Sequence, residues 1–314
     1  MSLLTVSSSP HIRAARNTQG IMLDVIIALL PAAVAGVIIF GLNALFIILT
    51  CVISAVLSEF IFDKVVKKRN TITDLSAVVT GLLLALNLSS NVPLWQAAVG
   101  SCFAIVVVKC LFGGIGQNFA NPAITARIFM LISFTDMAQS AFPTVVDSVA
   151  TATPLSIASG VSEGSLPSLL DMLLGLRGGC IGETSTLALL IGGAYLLIRR
   201  VIYWHTPVAF IGTVFVCSFI FYGDFTATLY QIMAGGLMIG AFFMATDYAT
   251  TPVSKIGKLV FGIGCGLITC LIRFWGSYPE GVSYAILLMN ILTPYIEKLT
   301  AKKPFGGVKA RKII

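Results

Sequence analysis

Three groups of residues in this 314-residue chain have types and spacings that could do chemistry. The first is the strip Asp147-Ser148-Val149-Ala150-Thr151-Ala152-Thr153-Pro154-Leu155, whose hydroxyls could carry a covalent group. The same charge-poor, hydroxyl-rich composition also describes an ordinary loop. The second is Arg177-Gly178-Gly179-Cys180-Ile181-Gly182-Glu183-Thr184-Ser185-Thr186. Glycines before a helix start leave backbone N–H groups free to meet an anion or a ring carbonyl. A plain capped start, with Glu183 near the positive end of the dipole, reads from the same residues. No Gly-Lys-Ser/Thr follows, so the segment does not fit a Walker A loop. The third group is Asp74, Thr80, Asn87, Thr246 and Asp247, polar side chains in or beside apolar stretches. Such groups are costly in lipid and mark ion paths, although helix-end capping explains either Asp as well.

What positions these residues is a membrane. A composition 57% hydrophobic and 11% charged, with a mean hydropathy of +0.97, leaves too much apolar surface for water. The pattern predicts an all-α polytopic membrane protein with about ten spans, near 21–42, 44–63, 72–88, 93–112, 121–137, 179–199, 205–222, 226–246, 257–276 and 281–299. Lys and Arg stay cytoplasmic in short loops. With the N-terminus inside, Arg13, Arg16, Lys64, Lys67, Lys68, Arg69, Lys109, Arg199, Arg200, Lys255, Lys258 and the basic tail from Lys298 fall on one side. Arg127 lies in the inner half of span five, and Arg177 and Arg273 lie near outer boundaries. The net charge of +7 is therefore a topology signal, and no nucleic-acid partner is expected. The partner it implies is the lipid bilayer. Seven cysteines with no C-x-x-C pair and two histidines near boundaries predict no metal site in this chain.

Two segments about 160 residues apart share a rhythm. Leu84–Pro93 leads into an apolar helix ending Lys109-Cys110-Leu111-Phe112-Gly113; Met244–Pro252 leads into one ending Arg273-Phe274-Trp275-Gly276. Each has a polar turn closed by Pro, then an apolar helix with a cation near its end. Five spans separate the copies, so the second would be inverted in the membrane, as in many transporter folds. The organisation expected is a cytoplasmic segment 1–20, a five-helix repeat 21–137, an external loop 138–178, a second repeat 179–299 and a cytoplasmic basic tail 300–314. Gly113–Ala123, with three glycines, two Asn and a Pro, should break helical structure, either as a re-entrant segment or as a cap of span five through Asn121 and Pro122, and a plain cytoplasmic turn fits the same spacing. Within the long loop, Pro167 to Leu176 reads as a short interfacial helix with Pro at its first position.

Asp147-x-x-x-Thr151-Ala152-Thr153 resembles the flavinylation motif D-x-x-(S/T)-(G/S)-A-T, whose final Thr is esterified to the phosphate of FMN. Ala150 and Thr151 depart from the usual residues at their positions; Thr153 keeps the acceptor place. With Pro154-Leu155 following, the strip is similar to the version in the family that holds the D subunit of Rnf complexes and the B subunit of Na⁺-pumping NADH:quinone reductases. Ser8-Ser9-Pro10-His11, Leu82–Leu88, Asn118-x-x-Asn121-Pro122-Ala123 and Gly182-Glu183-Thr184-Ser185 resemble other landmarks of that family, so the likeness spans nearly the whole chain. The compact N-terminus resembles the Rnf branch.

The resemblance implies a flavin-carrying membrane subunit of an ion-translocating ferredoxin:NAD⁺ oxidoreductase. It implies FMN held covalently through Thr153, with Asp147, Ala152 and Pro154 around the attachment. A second, non-covalent flavin such as riboflavin is expected near Gly182, Glu183, Thr184 and Ser185. Asp74, Asn87 and Asp247 are candidates for a Na⁺ or H⁺ path. The implied partners are the other Rnf subunits: the A and E membrane subunits, the G flavoprotein, and the B and C components that hold the iron–sulfur clusters and the NAD site. The implied place is a bacterial inner membrane, with both termini cytoplasmic and the flavin loop external. A different class also fits the repeat: a channel or secondary transporter for a small solute, with Asn-Pro and Thr-Pro breaks like those of urea or ammonium permeation proteins.

Overall fold

The computed structural model describes residues 17–66, 71–134, 154–158, 166–276 and 280–301. Asp147, Ala152 and Thr153 lie outside the described residues, as do Ser8 to His11, Lys67 to Arg69, Asp136, Glu163 and the basic tail from 302 onward. Among the described residues the regular elements are helices: α1 (Thr18–Phe40), α2 (Leu42–Val65), α3 (Ser76–Leu86), α4 (Leu94–Phe103, continued by a π-helical segment Ala104–Cys110), α5 (Pro122–Ser133), α6 (Pro154–Ala158), α7 (Leu169–Leu174), α8 (Thr186–Ile198), α9 (His205–Tyr222), α10 (Phe225–Met233), α11 (Leu237–Ile239, continued by π-helical Gly240–Met244), α12 (Lys255–Trp275) and α13 (Val282–Thr300).

Helices α1, α2, α9 and α12 are each long and apolar enough to cross a bilayer, and α10 with α11 and its π-helical continuation forms an apolar pair bent by 64° at its break, a broken span or a re-entrant loop. With α3, α4, α5, α8 and α13 they give ten apolar units at the ten expected places, a polytopic all-helical membrane protein. Several do not cross alone. The 11 residues of α3 span about 16 Å at 1.5 Å per residue, roughly half of a hydrocarbon core of about 30 Å. The turn at Ser89-Ser90, expected at the surface, is buried.

The sixth unit starts late for the same reason. Residues 179–185, expected to open a span, are not helical. The Gly182 N–H donates to Leu86 O at 2.8 Å and the Ile181 N–H to Leu88 O at 2.9 Å, so this segment satisfies carbonyls that the end of α3 leaves open. A side chain on Gly182 would start 2.5 Å from Leu86 Cβ; only glycine permits this approach.

Helix α2 packs against α3 and α4, and α4 against α5; correspondingly, α9 packs against α10 and α12, and α12 against α13. Between the two sets, like meets like: α1 contacts α8, and α5 contacts α13. These contacts join the first five apolar units to the last five through α1–α8 and α5–α13. Local capping follows the sequence. Asn121 accepts from the N–H groups of Ala123 and Ile124 at 3.0 and 3.4 Å, with Pro122 at the first helical position. In α7 the cap is Ser168, which accepts from Asp171 N–H at 3.2 Å, so Pro167 precedes the helix instead of opening it.

The α1–α8 junction depends on Gly192, where a Cβ would lie 2.1 Å from the Ala28 carbonyl oxygen. Gly192→Val is expected to destabilise the fold by about 1–3 kcal/mol through overpacking. The check is the apparent melting temperature of the purified assembly in detergent; an unchanged value would show that the helices separate freely here.

Candidate functional site

Helix α10 stops inside the protein. After Met233 the chain is extended at Ala234 and then turns at Gly235 (φ +63°) before α11 begins. The last carbonyls of α10 have no partner of their own, and in a membrane interior none can be left to water. Two buried arginines supply the donors. Arg273 of α12 donates from Nη1 to Gln231 O at 2.5 Å and from Nη2 to Ala234 O at 3.2 Å. Arg177 donates from Nη2 to Met233 O at 2.5 Å and Glu183 O at 2.8 Å, and from Nε to Thr184 O at 3.2 Å. Cations at a helix C-terminus also oppose the negative end of its dipole. A side chain on Gly235 would start 3.0 Å from Arg273 Nη2 at a φ of +63°, so the break favours glycine.

Against this break lies an ionic cluster. Arg127 of α5 donates from Nη1 to Asn87 Oδ1 at 3.0 Å and Ser283 Oγ at 3.2 Å. Its Nη2 donates to Cys180 Sγ at 3.5 Å and is ion-paired with the Glu280 carboxylate. Glu183 Oε1 accepts from the Cys180 N–H at 3.1 Å. Its other oxygen, Oε2, is buried with no hydrogen-bond partner among the described residues, as are Thr184 Oγ1 and Arg273 Nε. Cys180, Glu183 and Glu280 offer a thiol and two carboxylates within 4.8 Å of one another, a donor set a metal could use. Arg127, Arg177 and Arg273 already outnumber the two carboxylates, and Arg127 holds Glu280, so a further cation is electrostatically disfavoured.

The loop strip meets this cluster at its end. Pro154 and Leu155, the residues after the predicted acceptor, are buried at the start of α6. Leu155 packs with Met172, Met233 and Ala234 at the α10 break, and its Cδ2 is 3.5 Å from where a Gly235 side chain would begin. The structure thus brings Pro154, Gly182, Glu183, Thr184 and Asn87 into one region. Ser185 serves as the α8 cap, accepting from Ala188 N–H at 3.3 Å.

Asp74 and Asp247 are elsewhere. Asp74 accepts from Ser76 N–H at 2.9 Å and Ser76 Oγ at 2.5 Å, a helix-start cap. Asp247 accepts from Ala249 N–H and Thr250 Oγ1, both at 3.3 Å. Burial pushes its carboxyl up from the ordinary value, opposed by those two bonds. Asp247 lines a cavity of about 90 Å³ with Ser76, Thr80, Lys109, Asn118 and Asn121. Lys109 is fully buried there, 2.7 Å from Glu59 Oε1 and 2.6 Å from Ser76 Oγ. It is a paired interior charge and not the loop cation that topology counting makes of it.

The sequence model of the NQR2, RnfD, RnfE family matches residues 5–306. The chain belongs to this family. It is 52% identical over 313 residues to the D subunit of the Na(+)-translocating ferredoxin:NAD(+) oxidoreductase complex of Acetobacterium woodii, covering 98% of this chain and 97% of that protein. It is 45% identical over 321 residues to the D subunit of the proton-translocating ferredoxin:NAD(+) oxidoreductase complex of Clostridium ljungdahlii, covering 97% of each. It is 37% identical over 345 residues to the D subunit of an ion-translocating oxidoreductase complex of Marinobacter nauticus, covering 98% of this chain and 97% of that one.

In this member of the family, motif reasoning missed Arg127, Arg273, Glu280 and the Glu59–Lys109 pair as parts of polar centres. The available signal was a charge inside an apolar stretch with no opposite charge one turn away on its own helix, which demands a partner from another element. The Glu59–Lys109 pair gives a direct test. Lys109→Met leaves Glu59 buried and unpaired and should cost about 3–5 kcal/mol, while adding Glu59→Gln should recover most of it. Thermal unfolding of the single and double variants decides; equal losses would mean the two charges are uncoupled.

Proposed function

We propose that this chain is the flavin-carrying membrane subunit of an ion-translocating ferredoxin:NAD⁺ oxidoreductase. The observation that carries the reading is the family membership combined with Asp147-x-x-x-Thr151-Ala152-Thr153-Pro154, whose last residue and its neighbour Leu155 are seated against the α10 break. Relatives similar over nearly the full length are named as the D subunits of such complexes, so the chain works within a multi-subunit assembly and does not complete the reaction alone. Within it, the A and E membrane subunits, the G flavoprotein and the B and C components with the iron–sulfur clusters and NAD site are the proposed partners. A bacterial inner membrane is the proposed site, with the flavin loop outside.

A phosphoester through Thr153 would tether FMN by its phosphate and leave the ring to one-electron and two-electron chemistry, with the protein supplying position and field. The residues at hand suit that task. Pro154 and Leu155 fix the end of the tether in an apolar seat, and Asp147 and Ala152 complete the attachment motif. Arg273 Nε and Thr184 Oγ1 are buried donors with no protein partner beside that seat. A second, non-covalent flavin near Gly182–Ser185 would have to share those groups, because the Gly182 N–H and the Ser185 hydroxyl are already bonded. Ion coupling, to Na⁺ or H⁺, is proposed to involve the polar interior at Asn87, Asp74 and Asp247. Nothing in the described geometry favours the solute-channel alternative over the family's reading.

Thr153→Val should abolish in-gel flavin fluorescence of this subunit in the denatured complex, while wild type retains it. Mass spectrometry of the peptide around Thr153 should show the FMN mass increment. A flavin found instead on Thr151 would put the motif out of register.

A further inference from the structure

We propose that the paired starts of α9 and α12 form a binding site for a phosphate oxyanion, held by Lys258 and Thr206. The site is separate from the arginine cluster and independent of the flavin reading.

Helices α9 and α12 run parallel. A Cβ on Gly262 would lie 2.8 Å from Thr206 O and one on Gly266 would lie 3.1 Å from Phe210 O, and further along the rings of Phe221 and Phe274 stack with centroids 4.3 Å apart. The contacts advance in the same direction on both helices, so their starts, at His205 and Lys255, lie at the same end. Each start carries the positive end of a helix dipole, which an acid in the first turn ordinarily complements. Neither helix has one. Lys255 and Lys258 stand at the opening of α12 instead, and neither is ion-paired to a carboxylate among the described residues. Ser254 accepts from the Gly257 N–H at 2.9 Å and caps α12, whereas no side chain caps α9. The first N–H groups of α9 therefore have no acceptor within the helix.

Between the two starts is a cleft of about 20 Å³ lined by Tyr203, Thr206, Thr246, Tyr248, Thr251 and Lys258. Three of its hydroxyls already donate within the fold: Thr246 to Phe242 O at 2.7 Å, Thr251 to Asp247 O at 2.6 Å, and Tyr248 to Val201 O. Two groups do not. Thr206 is 2% exposed, yet its hydroxyl has no hydrogen-bond partner among the described residues. Lys258 Nζ lies 4.2 Å from the centroid of the Tyr203 ring and has no hydrogen-bond acceptor among them either. The neighbouring carboxylates are engaged with other groups, Asp247 with Ala249 N–H and Thr250 Oγ1, and Glu297 with Val253 N–H.

An ammonium, a buried hydroxyl and an uncapped helix start all offer hydrogens or positive charge, so the partner they fit is an anion that accepts several bonds at once. The cleft has room for about one or two water-sized groups, which suits phosphate oxygens and excludes a ring. Inorganic phosphate and the headgroup of an anionic phospholipid share this chemistry. The exposed rings of Tyr203 and Trp204 stand beside the cleft, as aromatic side chains do at headgroup level.

The test uses the purified, delipidated assembly. Equilibrium dialysis with radiolabelled phosphate reads one source, and native mass spectrometry of retained phosphatidylglycerol against phosphatidylcholine reads the other. At least one of the two should bind saturably, and Lys258→Gln and Thr206→Val should each weaken it about tenfold, the loss of one charge-assisted hydrogen bond. Lys258→Arg should keep binding, and Lys298→Gln, which removes a cation over Tyr295 of α13, should leave it unchanged. Phosphate bound without the lipid assigns the site to the free anion; phosphatidylglycerol retained in preference to phosphatidylcholine assigns it to a headgroup. Binding that survives both Lys258→Gln and Thr206→Val overturns the proposal. In wild type, the bound probe should also slow acetylation of Lys258 several-fold relative to chloride at equal ionic strength, with Lys298 unaffected. A Lys258 that neither probe protects overturns the proposal without any variant, and the cleft then holds water alone.

Discussion

The structure depends on keeping every backbone group satisfied where helices end inside a membrane protein. Each unpaired N–H or C=O in that interior costs several kcal/mol, and no solvent is at hand to relieve it. This chain ends helices internally at Leu86 and at Met233. At the first, an irregular segment lies alongside and donates from Ile181 and Gly182. At the second, Arg177 and Arg273 fork onto the carbonyls of Gln231, Met233 and Ala234. One segment, 177–183, serves both ends. It brings Glu183 and Cys180 with it, and Arg127 then ties that segment to Asn87 and Glu280. The polar centre exists because two helix termini meet there.

Much of this is legible from the residues. Apolar periodicity locates ten helical units, and Asn121-Pro122 marks a cap that the structure shows bond for bond. The Gly-rich run before α8 is visible as a place where backbone groups are put to use. In the sequence its N–H groups read as open to a ligand; in the fold they meet the end of α3. Composition does not distinguish these, because a free N–H and one satisfied by a residue far away in the chain look alike in a string. The broken α10–α11 unit escapes for a related reason. Gly235-Gly236 sits in a stretch whose hydropathy suits a full crossing, and only the arginine forks show that the helix stops.

Counting positive charges for topology presumes that the cations are exposed. Arg199, half exposed at its side chain and paired with Asp24 at 3.3 Å, behaves as a boundary residue. Lys109 and Arg127 do not, since each is buried and neutralised from another helix or its flank. A buried pair of this kind is poor evidence of stabilisation, because desolvation offsets most of the attraction. What it supplies is specificity: Lys109 fixes the π-helical end of α4 against α2, and Arg127 fixes α5 against the start of α13.

Lys109 and Arg273 stand at corresponding places in the sequence, each near the end of an apolar helix that follows a Pro-closed turn. Their partners differ, and the difference divides the molecule. Lys109 meets a carboxylate, so its half of the structure ends charge-neutral around a small cavity. Arg273 meets carbonyl oxygens, which compensate its charge with dipoles alone. Around Arg273 the guanidiniums of Arg127, from the first set of helices, and of Arg177 gather against the carboxylates of Glu183 and Glu280. An anionic group suits this arginine cluster and not the neutral Lys109–Glu59 pair. The described end of the strip, Pro154-Leu155, docks beside these charges, where an anionic group gains most from its surroundings.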